Sequence, residues 1–324
     1  MSYVNPENVS LLKKAIKSKE VTGKFLPSVY ILDPSSVCNL KCVICPNSKI
    51  QKINYGFIDV ELYKEIIDSI SDTCEFLMLY WLGESLLHPH IESLLAYANK
   101  KIQGRVNLST NLYITNDSIL ASLREYCDVV ICSLDTFERK TYEKIRVGSD
   151  YTIVENNIKK LLTLPGKSKV IVKGLDLNFN YTKSQKEFHK KWRGLGASTM
   201  VSYVNDWVDG INISNSPRTL NSPYFLKKPS SCADLWFKMV INWRGEIQAC
   251  CFDWNYSMTI GKYFKSKNWI SKTWHSNLLK ALRREQITTS HKIYRKCNTC
   301  KYPATDDEFD AYINFDEDSY FIIF

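Results

Sequence analysis

The chain has 324 residues, 44% hydrophobic and 24% charged, enough for one large catalytic domain with a small appendage and far from a disordered composition. No apolar run approaches the roughly 18 residues of a membrane span, and residues 1–20 carry Lys and Asn where a signal peptide has its apolar stretch. A soluble cytoplasmic protein with no membrane partner is expected. Lys and Arg exceed Asp and Glu by 43 to 34, but residues 304–324 hold seven acids and no cation, which leaves +16 (43 against 27) on the rest. Such a field favours anionic ligands. No Lys/Arg block with interleaved aromatics is visible, however, so nucleic acid is not an expected partner. The acidic tail also carries Phe309, Tyr312, Phe315, Tyr320 and Phe321 and is expected to fold back on the basic body.

From residue 28 to 203, short β-branched runs alternate with stretches of helical periodicity, the pattern of βα units around a parallel sheet. Strands are predicted over residues 28–33, 76–81, 105–109, 129–133, 169–175 and 198–203. Helices are predicted over residues 60–70, 90–100, 116–125, 151–164 and 184–194. The fold class is α/β, a partial (β/α)6 barrel. Residues 205–230, rich in Asn, Ser and Pro, read as a linker. Beyond them, residues 238–243 and 246–252 flank Arg244-Gly245 as a β-hairpin, and residues 270–285 read as an amphipathic helix. The expected division is an N-terminal extension (1–27), the barrel (28–204), the linker, a small second domain (231–303) and the tail (304–324).

Eleven cysteines are too many for ordinary core use, and a reducing compartment argues against a disulfide framework, so metal or cluster ligation is indicated. Cys38, Cys42 and Cys45 form a CxxxCxxC just after the first predicted strand, at the strand end where α/β folds place their chemistry. Three thiolates hold three irons of a 4Fe-4S cube and leave the fourth without a protein ligand. A structural zinc takes four closely supplied ligands, whereas the nearest further candidates, His88 and His90, stand in another loop.

At these residues the sequence resembles the radical S-adenosylmethionine superfamily, over most of the chain. The resemblance implies that Cys38, Cys42 and Cys45 hold a 4Fe-4S cluster whose open iron chelates S-adenosylmethionine, which one electron cleaves to a 5′-deoxyadenosyl radical. Trp81-Leu82-Gly83-Glu84-Ser85 is similar to the family's GGE segment, with Leu82 for the first Gly. Leu108-Ser109-Thr110-Asn111 resembles its STNG, with Leu112 for the Gly. Ser133-Leu134-Asp135-Thr136 resembles its SxDG, with Thr136 for the Gly, and residues 140–146 its TYExxR. By position, Glu84 accepts from the methionyl ammonium, and Ser109, Asn111, Ser133 and Arg146 hold the ribose and carboxylate, for which the Arg fork is suited.

Cys232, Cys250, Cys297 and Cys300 resemble the shortened SPASM appendage called Twitch, which implies a second 4Fe-4S cluster, fully ligated and suited to electron transfer. A four-cysteine zinc site is the alternative. Adjacent hairpin side chains face opposite ways, so Cys251 is expected to turn from the cluster, either as a hydrogen-atom donor to a substrate radical or as a packed thiol. Cys74, Cys127 and Cys132 read as core.

The implied activity is that of an oxidoreductase or epimerase acting on a sugar- or cyclitol-like carbinol. Loss of an electron to the second cluster and of a proton to a base gives the ketone, while hydrogen return from Cys251 gives the epimer. The implied partners are a small-molecule substrate and an electron donor such as flavodoxin or ferredoxin. Only 27 residues precede the first strand, which sets a leader-binding peptide maturase second and an RNA-modifying enzyme third.

Overall fold

The computed structural model describes residues 3–49, 55–176, 183–203, 231–290, 292–294, 296–300 and 309–310. Residues 1–27, expected as an extension, contain a helix, α1 (Pro6–Ser18). Asn5 caps it by accepting from Asn8 N at 2.9 Å, and Pro6 sits in the first turn, where its missing N–H costs nothing. Val9, Leu12, Ala15 and Ile16 recur at helical spacing and are buried.

Six parallel strands follow: β1 (Val29–Leu32), β2 (Phe76–Met78), β3 (Arg105–Thr110), β4 (Val129–Asp135), β5 (Lys169–Asp176) and β6 (Ser198–Tyr203). Between them lie α2 (Val60–Ile70), α3 (Ile91–Lys101), α4 (Asp117–Tyr126), α5 (Arg139–Ile145), α6 (Tyr151–Thr163) and α7 (Lys183–Gly194). Asp59, Asn116 and Asp150 cap α2, α4 and α6 with their side-chain oxygens, which fixes where each βα loop ends. The second strand stops at Met78 rather than 81, so Trp81 belongs to the loop beyond it. Each strand pairs with its predecessor in the order β6-β5-β4-β3-β2-β1, an open, partial barrel.

The small C-terminal part is not a separate sheet. Strand β7 (Lys238–Ile241) pairs in parallel with the free edge of β1, Val29 opposite Lys238, and β8 (Glu246–Gln248) and β9 (Thr259–Lys262) continue antiparallel from it. All nine strands among the described residues form one sheet. The backbone groups along that edge of β1 need partners, and β7, buried along its length, supplies them. Gly245 makes the predicted hairpin turn with a φ of +73°, which favours glycine. The helix expected over 270–285 is two, α9 (Trp269–Trp274) and α10 (Asn277–Thr288), with α8 (Asp234–Phe237) before the hairpin and α11 (Lys296–Thr299) after them. Ser276 breaks the run by capping α10, its oxygen accepting from Leu279 N at 3.3 Å.

The main core lies between sheet and helices and includes the fully buried Cys74, Cys127 and Cys132, as expected of small core residues. Val129, Ile131, Ile171 and Met200 form a second cluster on the opposite, inner face. Strand register puts Asn107 beside Val129, Ser109 beside Ile131 and Ser133 beside Lys173, so these polar residues share that inner face. Arg283 of α10 is fully buried, stacked against Phe25 and Trp274 and donating to Leu235 O at 3.0 Å, which binds the N-terminal segment to the C-terminal part. Phe309 packs on Phe237 and Asp310 pairs with Lys13 at 2.8 Å, so the described part of the tail does lie on the body. The linker and the rest of the tail fall outside the described residues.

Candidate active site

Cys38, Cys42 and Cys45 stand on the loop leaving β1, at the C-terminal end of the parallel sheet. Main-chain bonds hold that loop from two sides. Lys41 N and Val43 N donate to Val147 O and Ile145 O at 2.8 and 2.9 Å, and Glu84 N donates to Val37 O at 2.8 Å. Asn47, only two residues past Cys45, donates its amide to both Ser36 O and Leu82 O, at 2.8 and 2.7 Å. Gly83 passes so close to the loop that a Cβ there would lie 1.9 Å from Ser35 O, which is why only glycine fits at this point of the GE segment.

Glu84 is 3% exposed, and its carboxylate already has three donors. Oε1 accepts from Thr110 Oγ1 at 2.8 Å and Leu86 N at 3.1 Å, and Oε2 accepts from Asn111 N at 2.7 Å. A carboxylate has about four acceptor sites, so Oε2 keeps capacity for one further donor. Burial pushes the carboxyl pKa up, while the three donors favour its charged form. Asn111 itself donates to Asn39 Oδ1 at 2.9 Å, beside the Cys38 thiol. Leu112, standing where the resemblance expects glycine, adopts a φ of +53° and is buried.

Arg146 is not a free fork. Its Nε and Nη2 donate to the two oxygens of Asp135 at 2.6 and 2.9 Å, a bidentate pair in which the side chains are 15% and 1% exposed. Asp135 has a φ of +62° just past a bulge in β4, and that geometry turns it toward Arg146. The expected contacts Ser109, Asn111 and Ser133 thus lie at the ends of β3 and β4, with Glu84 beyond β2 and the cysteine loop beyond β1. Sequence reading missed Thr110, Asn47 and the Asp135 contact, although all three stand within or beside the quoted motifs.

In the second group, Gln286 of α10 bridges two cysteines, accepting from Cys232 N at 3.1 Å and donating to Cys297 Sγ at 3.3 Å. Cys297 lies within the short α11 and Cys300 directly follows it. The expectation for Cys251 needs a correction in its reason. Strand β8 ends at Gln248, so Cys250 and Cys251 lie in a turn closed by Asp253 N on Cys250 O at 3.0 Å, and hairpin alternation does not position them. The Cys251 thiol is 3.8 Å from Asp234 Oδ2, and Asp234 Oδ1 is 2.6 Å from Lys238 Nζ.

Among the described residues no three His, Cys, Asp or Glu side chains stand close enough to hold a single metal ion. The donor set suits a larger sulfur-ligated group: all eleven cysteines are free thiols, three of them on one loop, and Gln286 ties Cys232 to Cys297 in the second group. Burial pushes the Cys38 thiol up to about 12 and the Cys45 and Cys297 thiols up to about 11, so cluster ligation, which takes thiolates, must release protons.

The family model of the Radical SAM superfamily matches residues 32–181, and that of the SPASM iron-sulfur cluster-binding domain matches residues 232–301. The antilisterial bacteriocin subtilosin biosynthesis protein AlbA of Bacillus subtilis (strain 168) is 24% identical over 245 residues, 66% of this chain and 52% of AlbA. The chain thus spans about half the length of that curated relative. BtrN, solved with AdoMet and 2-DOIA, superposes with a TM-score of 0.56 at 18% identity, over 85% of this chain and 93% of BtrN. SuiB of Streptococcus suis, bound to the precursor peptide SuiA, gives a TM-score of 0.64 at 14% identity, over 86% of this chain and 71% of SuiB. At such identities the two structures share the fold. The chain thus carries a radical SAM domain followed by a C-terminal SPASM iron-sulfur domain, which imply 4Fe-4S clusters and S-adenosylmethionine as cofactors.

Proposed function

We propose that the protein inverts a C–H centre of a sugar- or cyclitol-like carbinol without net oxidation. The observation that carries this reading is the Cys251 thiol, next to a cluster-ligand position and held toward Asp234. Cys38, Cys42 and Cys45 would hold one cluster and Cys232, Cys250, Cys297 and Cys300 the other. With S-adenosylmethionine bound, the first would supply 5′-deoxyadenosyl radical chemistry for taking a hydrogen atom from the substrate carbon. Glu84 Oε2 accepts from the methionyl ammonium. Ser109, Asn111 and Ser133 contact the ribose and methionyl end. Arg146 presents its remaining N–H groups to the carboxylate while Asp135 fixes its plane. Cys251 returns a hydrogen atom from Sγ to the opposite face, and one electron from a flavodoxin- or ferredoxin-type donor and one solvent proton restore the thiol.

A hydroxyl-rich substrate is favoured by the inner face of the barrel. Asn107 is buried there with neither amide atom hydrogen-bonded, and Ser109, Ser133 and Lys173 stand along the same face. BtrN, which shares the fold and was solved with 2-DOIA, agrees with this reading. A peptide substrate is the second reading. It is supported by the bacteriocin biosynthesis protein AlbA and by the SuiB complex with its precursor peptide. Turnover of candidate carbinols in deuterated water is expected to put one deuterium at the inverted carbon. Cys251→Ala is expected to keep both clusters and to form 5′-deoxyadenosine without inversion; normal conversion by that variant would remove Cys251 from the chemistry. Conversion of peptides alone would establish the second reading.

A further inference from the structure

Four consecutive residues, 81–84, touch both cysteine-bearing sites at once. On one side, Leu82 O accepts from Asn47, Gly83 lies against Ser35 and Glu84 N donates to Val37 O, all within the loop that carries Cys38, Cys42 and Cys45. On the other side, Trp81 Nε1 donates to Cys251 O at 2.7 Å across 170 residues of sequence, and its ring meets Tyr256 edge-on at 5.8 Å. The segment is therefore a shared wall. Any movement of Glu84 pulls on Trp81 through three peptide units, and Trp81 is bonded to the main chain of the second cysteine group. Neither family model spans this connection, since one ends at residue 181 and the other begins at residue 232.

We propose that Trp81 is a positioning residue that couples the two sites, so that filling the methionyl site at Glu84 is felt at the Cys250–Cys251 turn. This rests on the reading of Glu84 as a cofactor contact. Coupling between sites is reciprocal: a ligand that changes the potential of the second cluster must bind its oxidised and reduced forms with different affinity.

The test uses the reconstituted full chain and S-adenosylhomocysteine, which has the same amino-acid end and does not fragment on reduction. An EPR-monitored redox titration of the second cluster, with and without this probe, is expected to show at least a threefold difference in probe affinity between its two redox states. At 59 mV per tenfold for a one-electron couple, threefold is a shift of about 28 mV. Trp81→Phe keeps the ring and loses the N–H. It is expected to load both clusters and bind the probe with the shift abolished, while Trp81→His, which has a ring N–H, is expected to restore part of it. Hydrogen exchange in the parent protein supplies a readout that needs no variant: the probe is expected to slow exchange in the 250–256 turn. Probe binding with neither a shift nor protection there would overturn the coupling. A shift that survives in Trp81→Phe would remove Trp81 from it. Failure of the parent to bind the probe would overturn the Glu84 assignment and the coupling with it.

Discussion

Asp135→Asn separates charge from shape at the site. Asn has nearly the same volume and tolerates the left-handed backbone that Asp135 adopts at a φ of +62°, so the substitution adds little backbone strain. It takes away the counter-charge of Arg146, whose fork donates to both Asp135 oxygens at 2.6 and 2.9 Å in surroundings nearly closed to water. The Asn carboxamide also sets one NH2 against an Arg146 N–H. An uncompensated buried charge of this kind costs about 3–5 kcal/mol, well above the roughly 0–1 kcal/mol of an exposed pair. For a chain of this size, at about 2 °C per kcal/mol, the loss corresponds to a fall in Tm of about 6–10 °C. Thermal unfolding of anaerobically reconstituted protein measures it. Adding Arg146→Met should recover part of the loss, because the stranded charge is then gone. A fall of less than about 1 kcal/mol would mean that water or another anion compensates Arg146, and the account of Asp135 as its fixed partner would be wrong.

Glu84→Gln sets an NH2 group against the Asn111 N–H; the orphaned donor should cost about 1–3 kcal/mol of stability, and calorimetry should find S-adenosylmethionine bound about tenfold or more weakly with the charge-assisted bond gone. Unchanged binding would end the assignment of Glu84. Leu112→Gly relieves a left-handed backbone worth about 1–2 kcal/mol but empties a buried leucine site worth about 3–5 kcal/mol. Denaturant unfolding should therefore find the variant less stable by about 1–4 kcal/mol, and a stabilised variant would show that backbone strain outweighs packing. Burial holds His88, His189 and His275 below the ordinary imidazole range. His88 is fixed neutral besides, with Nδ1 accepting from His90 N and Nε2 donating to Ile58 O. The unfolded chain then binds more protons below about pH 6.5, so stability should fall as pH drops from 7 toward 5.5, by up to about 1.4 kcal/mol per pH unit for each histidine. A flat profile over that range would contradict the buried, neutral imidazoles.

The barrel was legible because its signals are local. Apolar residues at helical spacing announce helices, and β-branched runs announce strands, so α2 and β6 were predicted to the residue. What escaped depends on distant chain. That β7 would take the open edge of β1 cannot be read from either segment, because it follows from the sheet needing a partner there. The 270–285 run kept its apolar period across Ser276, and only the capping hydrogen bond breaks it. In the site, the cysteine spacings carried the cofactor reading, and Glu84, Asn111 and Asp135 all lay in strand-end motifs. The pairing of Asp135 with Arg146 needs the bulge in β4, and the bond from Trp81 to Cys251 needs β7 and β8 to bring the second cysteine group alongside the barrel.

Iron content and cofactor cleavage, measured together on a cysteine variant, test the central claim that two separate cysteine groups hold two clusters and only the first performs the cleavage. Parent protein reconstituted anaerobically should contain about eight irons and the Cys38→Ala, Cys42→Ala, Cys45→Ala triple variant about four. The variant should form no 5′-deoxyadenosine from S-adenosylmethionine under reduction, while keeping the spectrum of the second cluster. Cleavage that survives in the triple variant, or loss of all its iron from an otherwise folded protein, would contradict the assignment.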